Sequence, residues 1–265
     1  MVDGEETGPG RGGRRRIVAV SHKTYLGYAS TLSWLEAAAT AGSGSASGGP
    51  GDLDVVVFPV APALPAAVSL GAGGAFAVGA QDVSDRPAGA FTGELPAQLL
   101  AEMGVGYVEI GHAERRFLFA ESDEVIGRKV QQSLAHGLIP LVCVGEGRLG
   151  DTTPIDASQA VELAGGQLTE VLRLLPYECP VVVAYEPVWA IGADEPAPVE
   201  HVRTVAAGLR SLLEPFPAAR VIYGGTAGPG LFTQLSGATD GLFLGRRAHD
   251  PAAFAEVLVE VASAG

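Results

Sequence analysis

The stretch Val181–Gly192 reads Val-Val-Val-Ala-Tyr-Glu-Pro-Val-Trp-Ala-Ile-Gly. Its β-branched beginning is typical of a strand that is buried on both faces, as in a parallel sheet covered by helices. Pro187 lacks a backbone donor and therefore ends the strand. Glu186 is thus predicted to stand at the carboxyl end of a rigid strand, just before a loop. Alone it could be an ordinary glutamate at a strand end, so its role depends on the rest of the chain.

Seven other apolar runs have the same character. They are Ile17–Val20, Asp54–Phe58, Phe76–Ala80, Tyr107–Ile110, Ile139–Val144, Val221–Tyr223 and Gly241–Gly245. Helices are predicted at Leu26–Thr40, Pro62–Leu70, Asp123–Ala135 with Ser122 as N-cap, Ala157–Leu174, Pro198–Leu213 and Pro251–Ala262. Apolar strands that alternate with helices indicate the α/β class. Eight strand–helix units in 265 residues favour a single closed (β/α)8 barrel over an open sheet.

The chain is expected to form one domain. No linker or change of composition divides residues 17–265, which are predicted to be the barrel. Residues 1–16 are rich in Gly and Arg and lack the apolar segment of a signal peptide, so they are predicted to be a disordered or expression-derived arm. Ala41–Gly51 is predicted to be a Gly/Ser-rich loop.

Charge and cysteine content limit the partners and the location. The formal net charge of -13 argues against nucleic acid and anionic membranes as partners, and an anionic substrate would need a local positive site. No apolar run is long enough to span a bilayer. Cys143 and Cys179 lie in or beside predicted strands without metal-ligand or redox spacing, which indicates reduced thiols and a cytoplasmic location.

Polar residues follow the first and fourth strands, where barrels of this type carry their active sites. Lys23 is either a solvated lysine or a cation that faces an anionic ligand. His112 is either a structural histidine or a neutral imidazole at a helix N-terminus, where the helix dipole disfavours the imidazolium form. Glu114 is expected to pair with Lys23 or Arg115.

Glycine-rich turns follow three later strands. Cys143–Glu146 is predicted to be mainly structural, with Glu146 bracing the loop after strand six. Tyr223-Gly-Gly-Thr226 and Gly245-Arg246 follow strands seven and eight. Glycines there let backbone amides approach a phosphate closely, at the usual phosphate site of such barrels.

Together these motifs resemble the triosephosphate isomerase family, from the first strand to the last helix. The matching pieces are Lys23, Gly89–Glu94, Gly111–Arg116, Cys143–Glu146, Ala184–Gly192, Tyr223–Thr226 and Asp240-Gly241. The resemblance implies a TIM barrel that acts on a small phosphorylated sugar without a cofactor or a metal. It implies that Glu186 is the catalytic base, His112 the electrophile and proton shuttle, and Lys23 the cation that holds the substrate.

The resemblance also implies a lid and a homodimer. Pro187–Gly192 would be the leading half of the lid, with Tyr223 and Thr226 latching it and Glu114 supporting the site. Gly89–Glu94 would insert beside the partner's active site, where Thr92 approaches Lys23 and His112. The implied substrate-binding residues are Ser21, Gly192, Thr226, Gly245 and Arg246.

Several positions depart from the family pattern. Ser21 stands where the family usually has Asn, and Ala113 stands where it usually has Ser. Arg246 stands where a second Gly is expected, and the trailing hinge of the lid reads Ala193-Asp194-Glu195 instead of Thr-Gly-Lys. The default reaction is conversion of dihydroxyacetone phosphate to glyceraldehyde 3-phosphate. The short side chains leave open a four-carbon isomerase that interconverts L-erythrulose 1-phosphate and D-erythrulose 4-phosphate. Arg246 and Thr226–Gly230 are similar to that branch of the family. A non-catalytic barrel with a binding role is a further alternative.

Overall fold

Eight parallel strands form a closed barrel in the computed structural model, which describes residues 14–45, 53–235 and 237–264. The strands are β1 (Arg16–Ser21), β2 (Leu53–Phe58), β3 (Ala77–Ala80), β4 (Tyr107–Ile110), β5 (Ile139–Val144), β6 (Val182–Tyr185), β7 (Arg220–Tyr223) and β8 (Gly241–Leu244). Each strand pairs with the next along the chain, and β8 pairs with β1 to close the barrel. The predicted (β/α)8 fold is confirmed.

Helices cover the outside of the barrel. They are α1 (Tyr28–Ser45), α2 (Leu64–Gly71), α3 (Ala97–Glu102), α4 (Ala113–Leu118), α5 (Asp123–Ala135), α6 (Ala157–Leu172), α7 (Val199–Leu212), α8 (Leu231–Leu235) and α9 (Pro251–Ser263). Single 3₁₀ turns lie at Ala61–Ala63, Val188–Ala190 and Arg246–His249. As predicted, Ser122 caps α5, because its hydroxyl accepts a hydrogen bond from the Val125 amide. No helix of the described residues is long and apolar enough to cross a membrane.

Alternate residues of each strand face two different apolar cores. One core fills the barrel and includes Ile17, Ala19, Tyr107, Leu141, Cys143, Val182 and Ala184. The larger core lies between the barrel and the helices and includes Val18, Val20 and Val183. Because both faces are buried, the strands read as continuous apolar runs. The same alternation turns Ser21, Glu109 and Glu186 toward the inside of the barrel.

Helix α1 runs further than predicted. It continues to Ser45, through the first part of the predicted Ala41–Gly51 loop, and residues 46–51 of that loop lie outside the described residues. A Cβ atom at Gly42 would lie 2.4 Å from the Ala75 carbonyl oxygen, so glycine lets the helix pack closely on the segment before β3. A tertiary contact thus outweighs the low helix propensity of the sequence.

The barrel also begins one residue earlier than predicted. Arg16, which was assigned to the arm, is the first residue of β1 and pairs with Leu53. Its guanidinium donates a hydrogen bond to the Val261 carbonyl oxygen at 2.9 Å, which fixes it against α9. Residues 1–13 of the predicted arm lie outside the described part of the chain.

Candidate active site

The three residues expected to be catalytic meet at one cavity of about 530 Å³ at the carboxyl ends of the strands. Lys23 comes from the loop after β1, His112 from the end of β4 and Glu186 from the end of β6. The cavity is also lined by five residues expected to bind substrate and by one supporting residue: Ser21, Gly192, Thr226, Gly245, Arg246 and Glu114. Tyr223 and Thr92 do not line it.

Glu186 lies at the bottom of this cavity. Its amide donates to the Val144 carbonyl oxygen at 2.8 Å, which extends the ladder between β5 and β6 by one residue. A Cβ atom at Gly224 would lie 2.7 Å from Glu186 Cγ, so only glycine leaves room for this side chain. The buried Oε2 has no hydrogen-bond partner among the described residues. Burial, and then the charge of Glu109, raises the pKa of Glu186 to about 8.

His112 is held as a neutral hydrogen-bond donor. It is the N-cap of α4, and its Nδ1 accepts a hydrogen bond from the Glu114 amide at 3.1 Å. The single ring proton of neutral imidazole must then be on Nε2, which lies 3.7 Å from Glu186 Oε2. Burial, and then the charge of Lys23, lowers the pKa of His112 to about 3. The ring therefore stays neutral at physiological pH.

Lys23 brings an ammonium group to the cavity. Of the two partners that the sequence left open for Glu114, the structure shows Lys23, with Nζ 2.7 Å from Oε1. Burial opposes the charge of Lys23, but the hydrogen bond to Glu114 and the nearby carboxylates raise its pKa above the usual value. Its backbone has a φ of 46°, in the left-handed region, and Gln81 donates to its carbonyl oxygen at 2.9 Å.

The segment after β6, residues 187–194, is anchored at its beginning by Glu146. Trp189 Nε1 donates to Glu146 Oε1 at 2.8 Å, and the Tyr185 hydroxyl donates to the same oxygen at 3.1 Å. The predicted bracing role of Glu146 is therefore confirmed.

Hydrogen bonds also hold the rest of this segment. The Thr226 hydroxyl donates to the Ala190 and Ala193 carbonyl oxygens at 2.9 and 3.0 Å, and the Tyr223 hydroxyl accepts from the Ala197 amide at 2.9 Å. Arg246 donates to the Gly192 carbonyl oxygen at 3.0 Å, and Arg247 donates to that of Asp194. Residues at or just after the ends of β7 and β8 thus supply the hydrogen-bond partners of the loop after β6.

The sequence of this chain also matches a known family. The family model described as triosephosphate isomerase matches residues 16–261, which covers all eight strands. The chain belongs to the triosephosphate isomerase family. It is a sugar-phosphate isomerase, as the resemblance implied.

Among curated members of the triosephosphate isomerase family, one of the most similar is the L-erythrulose-1-phosphate isomerase of Pectobacterium atrosepticum. It is 42% identical over 93% of this chain and 96% of its own length. A probable triosephosphate isomerase 2 of Listeria monocytogenes is 32% identical over 92% and 96% of the two chains. The triosephosphate isomerase of Symbiobacterium thermophilum is 37% identical over 80% and 85%.

The sequence analysis did not identify Glu109, a buried residue beside the site of this isomerase. Glu109, in β4, is 4% exposed, and its Oε2 accepts a hydrogen bond from the Ser21 hydroxyl at 2.9 Å. Burial raises the pKa of Glu109 to about 7, although Lys23 and Ser21 act against this rise. The available signal was a glutamate within the apolar run Tyr107–Ile110, since charged residues are rarely fully buried without a partner.

A buried ionic network beside the site also escaped notice. Lys129 Nζ lies 2.6 Å from Asp82 and 2.5 Å from Glu121, and Arg115 contacts both carboxylates. The network joins the loop after β3 to α4 and α5, so Lys129 has a structural role. Within the described ranges, no group of three or more His, Cys, Asp or Glu side chains could hold a metal ion.

Proposed function

We propose that this isomerase interconverts L-erythrulose 1-phosphate and D-erythrulose 4-phosphate. The proposal rests on the residue at position 21, which lines the cavity. The family usually has Asn there, whereas this chain has the shorter Ser21, whose hydroxyl donates a hydrogen bond to Glu109. Ala113 borders a second cavity of about 40 Å³ that also reaches Glu186, with space for roughly two or three water-sized groups. A four-carbon substrate carries a hydroxymethyl group in place of a hydrogen, and the space beside Ser21 and Ala113 supports the proposal that the enzyme can hold this group. The Pectobacterium relative with the corresponding name supports the same substrate.

In the proposed reaction, Glu186 removes the proton from C3 of L-erythrulose 1-phosphate, the carbinol carbon next to the C2 carbonyl. The electron pair of the broken C–H bond forms the C2–C3 double bond of an enediolate. Neutral His112 donates its Nε2 proton to the developing oxyanion at C2 and receives the proton from the oxygen at C3. Glu186 then returns its proton to C2, so the carbonyl group moves to C3 and no other reactant is consumed.

We propose that the raised pKa of Glu186 and the charge of Lys23 serve this chemistry. A carboxylate with a pKa of about 8 is a stronger base toward a carbon acid than an ordinary glutamate. The Lys23 ammonium group offsets the negative charge of the enediolate. Neutral His112 can polarise the substrate carbonyl and stabilise that charge by donating a hydrogen bond from Nε2.

The substrate phosphate is proposed to bind at the ends of β7 and β8. Gly192 and Gly245 would offer backbone amides, and Arg246 a guanidinium group, in a chain whose overall charge is -13. Thr226 and Tyr223 would latch the lid, since their hydroxyl groups already contact residues 190, 193 and 197.

We further propose a cytoplasmic homodimer. Gly89–Glu94 is exposed throughout, including the aromatic ring of Phe91 and the side chain of Thr92. Phe117–Phe119, at the end of α4, also exposes large apolar side chains. Such surfaces are typical of protein interfaces. Sedimentation velocity should give twice the mass of the chain, and a monomer that is fully active would contradict this assignment.

Triose phosphate is the second candidate substrate. Retention of Lys23, His112 and Glu186 in one cavity favours it, as do the relatives named triosephosphate isomerase. The test measures kcat/KM for L-erythrulose 1-phosphate and dihydroxyacetone phosphate under the same conditions. The proposal predicts at least a tenfold preference for the four-carbon substrate, and the reverse preference would overturn it. Failure of both substrates to exchange carbon-bound protons with D₂O would favour the non-catalytic alternative.

A further inference from the structure

A carboxylate lies inside the barrel, directly behind the substrate cavity. Glu109 points inward from β4, one inward position above Tyr107, and does not line the cavity itself. It reaches the cavity through Ser21, which does line it and donates a hydrogen bond to Glu109 Oε2 at 2.9 Å. These two residues are called the Ser21–Glu109 pair below.

The direction of this hydrogen bond limits what Ser21 can offer a ligand. An ionised carboxylate only accepts hydrogen bonds, and a serine hydroxyl has a single proton. With that proton directed at Glu109, the Ser21 oxygen presents only its lone pairs to the cavity. Ser21 can then accept a hydrogen bond from a ligand hydroxyl but cannot donate one to a carbonyl oxygen.

We propose that Glu109 is a positioning residue for substrate specificity, which makes Ser21 an acceptor for the terminal hydroxyl group of a four-carbon ketose phosphate. The inference rests on the proposed function and names the groups that select its substrate. Dihydroxyacetone phosphate lacks the additional hydroxymethyl group, so it gains nothing from this acceptor. The asparagine usual in the family offers N–H donors as well as an acceptor, and would not impose this direction.

The charges around the pair are consistent with an ionised Glu109 above neutral pH. Lys23 favours the carboxylate, whereas Glu114, Asp82 and Glu186 oppose it, and Ser21 donates to it. A protonated Glu109 could itself donate to the Ser21 oxygen and release the serine proton toward the cavity. The ratio of four-carbon to three-carbon kcat/KM should therefore fall as the pH drops below about 7. The ionisation of Glu186 affects both substrates and cancels in that ratio.

The experiment measures kcat/KM for L-erythrulose 1-phosphate and dihydroxyacetone phosphate in the unmodified enzyme and four variants. Glu109→Met keeps the length of the side chain but removes the acceptor, so the four-carbon to three-carbon ratio should fall about tenfold or more. Glu109→Gln keeps an acceptor oxygen but adds N–H donors, so its ratio should lie between those of the unmodified enzyme and Glu109→Met and should no longer fall below about pH 7. Ser21→Ala should lower the ratio as much as Glu109→Met. The double variant Ser21→Ala/Glu109→Met should be no worse than either single variant, since the two residues act as one unit.

A matched control is another buried carboxylate at the opposite end of the barrel. Asp240 precedes β8 and pairs with Arg210 at 2.9 Å, so Asp240→Asn should lower the melting temperature and leave the ratio unchanged. Melting temperatures of all variants separate misfolding from loss of selectivity.

Three results would overturn the inference, in two different ways. Equal losses on both substrates in Glu109→Met, or additive losses in the double variant, would reject the role of Glu109 while the four-carbon activity stands. An unmodified enzyme without four-carbon turnover would reject the proposed substrate, and the inference with it.

Discussion

Replacing Glu186 by Gln should separate catalysis from stability. The amide keeps the shape of the side chain but cannot accept the proton from carbon. Neither neighbouring glutamate is a ready substitute, because Glu114 is bound to Lys23 at 2.7 Å and Glu109 does not line the cavity. We expect kcat to fall by about a thousandfold or more through the loss of the general base and of its positioning.

The same substitution should stabilise the protein at alkaline pH. Burial, and then Glu109, raises the folded-state pKa of Glu186 from 4.5 to about 8, so the folded carboxyl holds its proton more tightly than the unfolded one does. The protonated Glu186 carboxyl therefore makes its full contribution to the free energy of unfolding below about pH 4.5, and that contribution is lost as the pH rises through about 8. The loss at pH 9 is at most roughly 5 kcal/mol, and a buried amide has its own desolvation cost. Glu186→Gln should thus melt on the order of 5 °C higher than the unmodified enzyme at pH 9, with little difference at pH 4.5.

The assay pairs steady-state turnover with melting curves at pH 4.5, 7 and 9. Exchange of the substrate's carbon-bound proton with D₂O, followed by NMR, reports the proton transfer directly. Turnover within tenfold of normal would refute the role of Glu186 as the base. A stability difference that does not vary with pH would refute the reasoning about its buried charge.

Lys23→Met should raise KM and lower kcat together because it removes the cation of the site, and an increase in KM alone would show that Lys23 contributes only uniform binding. Ser21→Asn should lower kcat/KM for L-erythrulose 1-phosphate about tenfold more than for glyceraldehyde 3-phosphate, because the longer side chain fills the space beside Glu109; equal effects would favour triose phosphate. Trp189→Phe removes the 2.8 Å hydrogen bond to Glu146 and should lower kcat about threefold to tenfold through poorer lid closure, with unchanged kcat as the contrary result. Incubation with EDTA should leave kcat unchanged, whereas recovery of lost activity by added metal would contradict the proposed chemistry.

The strands were predictable from the sequence because burial on both faces leaves a continuous apolar run. Tyr107–Ile110 and Ile139–Val144 have the bounds that the sequence predicted. Sequence reasoning missed α3 and α8 and expected α4 only as a helix N-terminus at His112; these three helices have only five or six residues. Such a helix is too short to show a 3.6-residue period, so packing on the barrel decides its presence.

The site was predictable only where local motifs carried it. The sequence predicted that Lys23, His112 and Glu186 lie together, because each follows a strand and parallel strands bring their carboxyl ends to one rim, while their expected roles came from the family resemblance. Ser21 and Glu109 are 88 residues apart in the sequence, and no local motif near either residue predicts that the two are in contact. The expected contact of Thr92 is with a second subunit, and within its own chain Thr92 is exposed and does not line the cavity.

The backbone conformation of Lys23 affects how this sequence would change under different selection. Apart from Ala120, Lys23 is the one non-glycine residue of the described chain with a positive φ. Holding an L-residue there costs about 1–2 kcal/mol, a cost that glycine would not carry. In a library sorted only for the yield of folded protein, position 23 should drift toward glycine, and the proposed role of Lys23 in catalysis would be lost without any sign of damage to the fold. Screens that reward stability alone will therefore select against the proposed catalytic lysine.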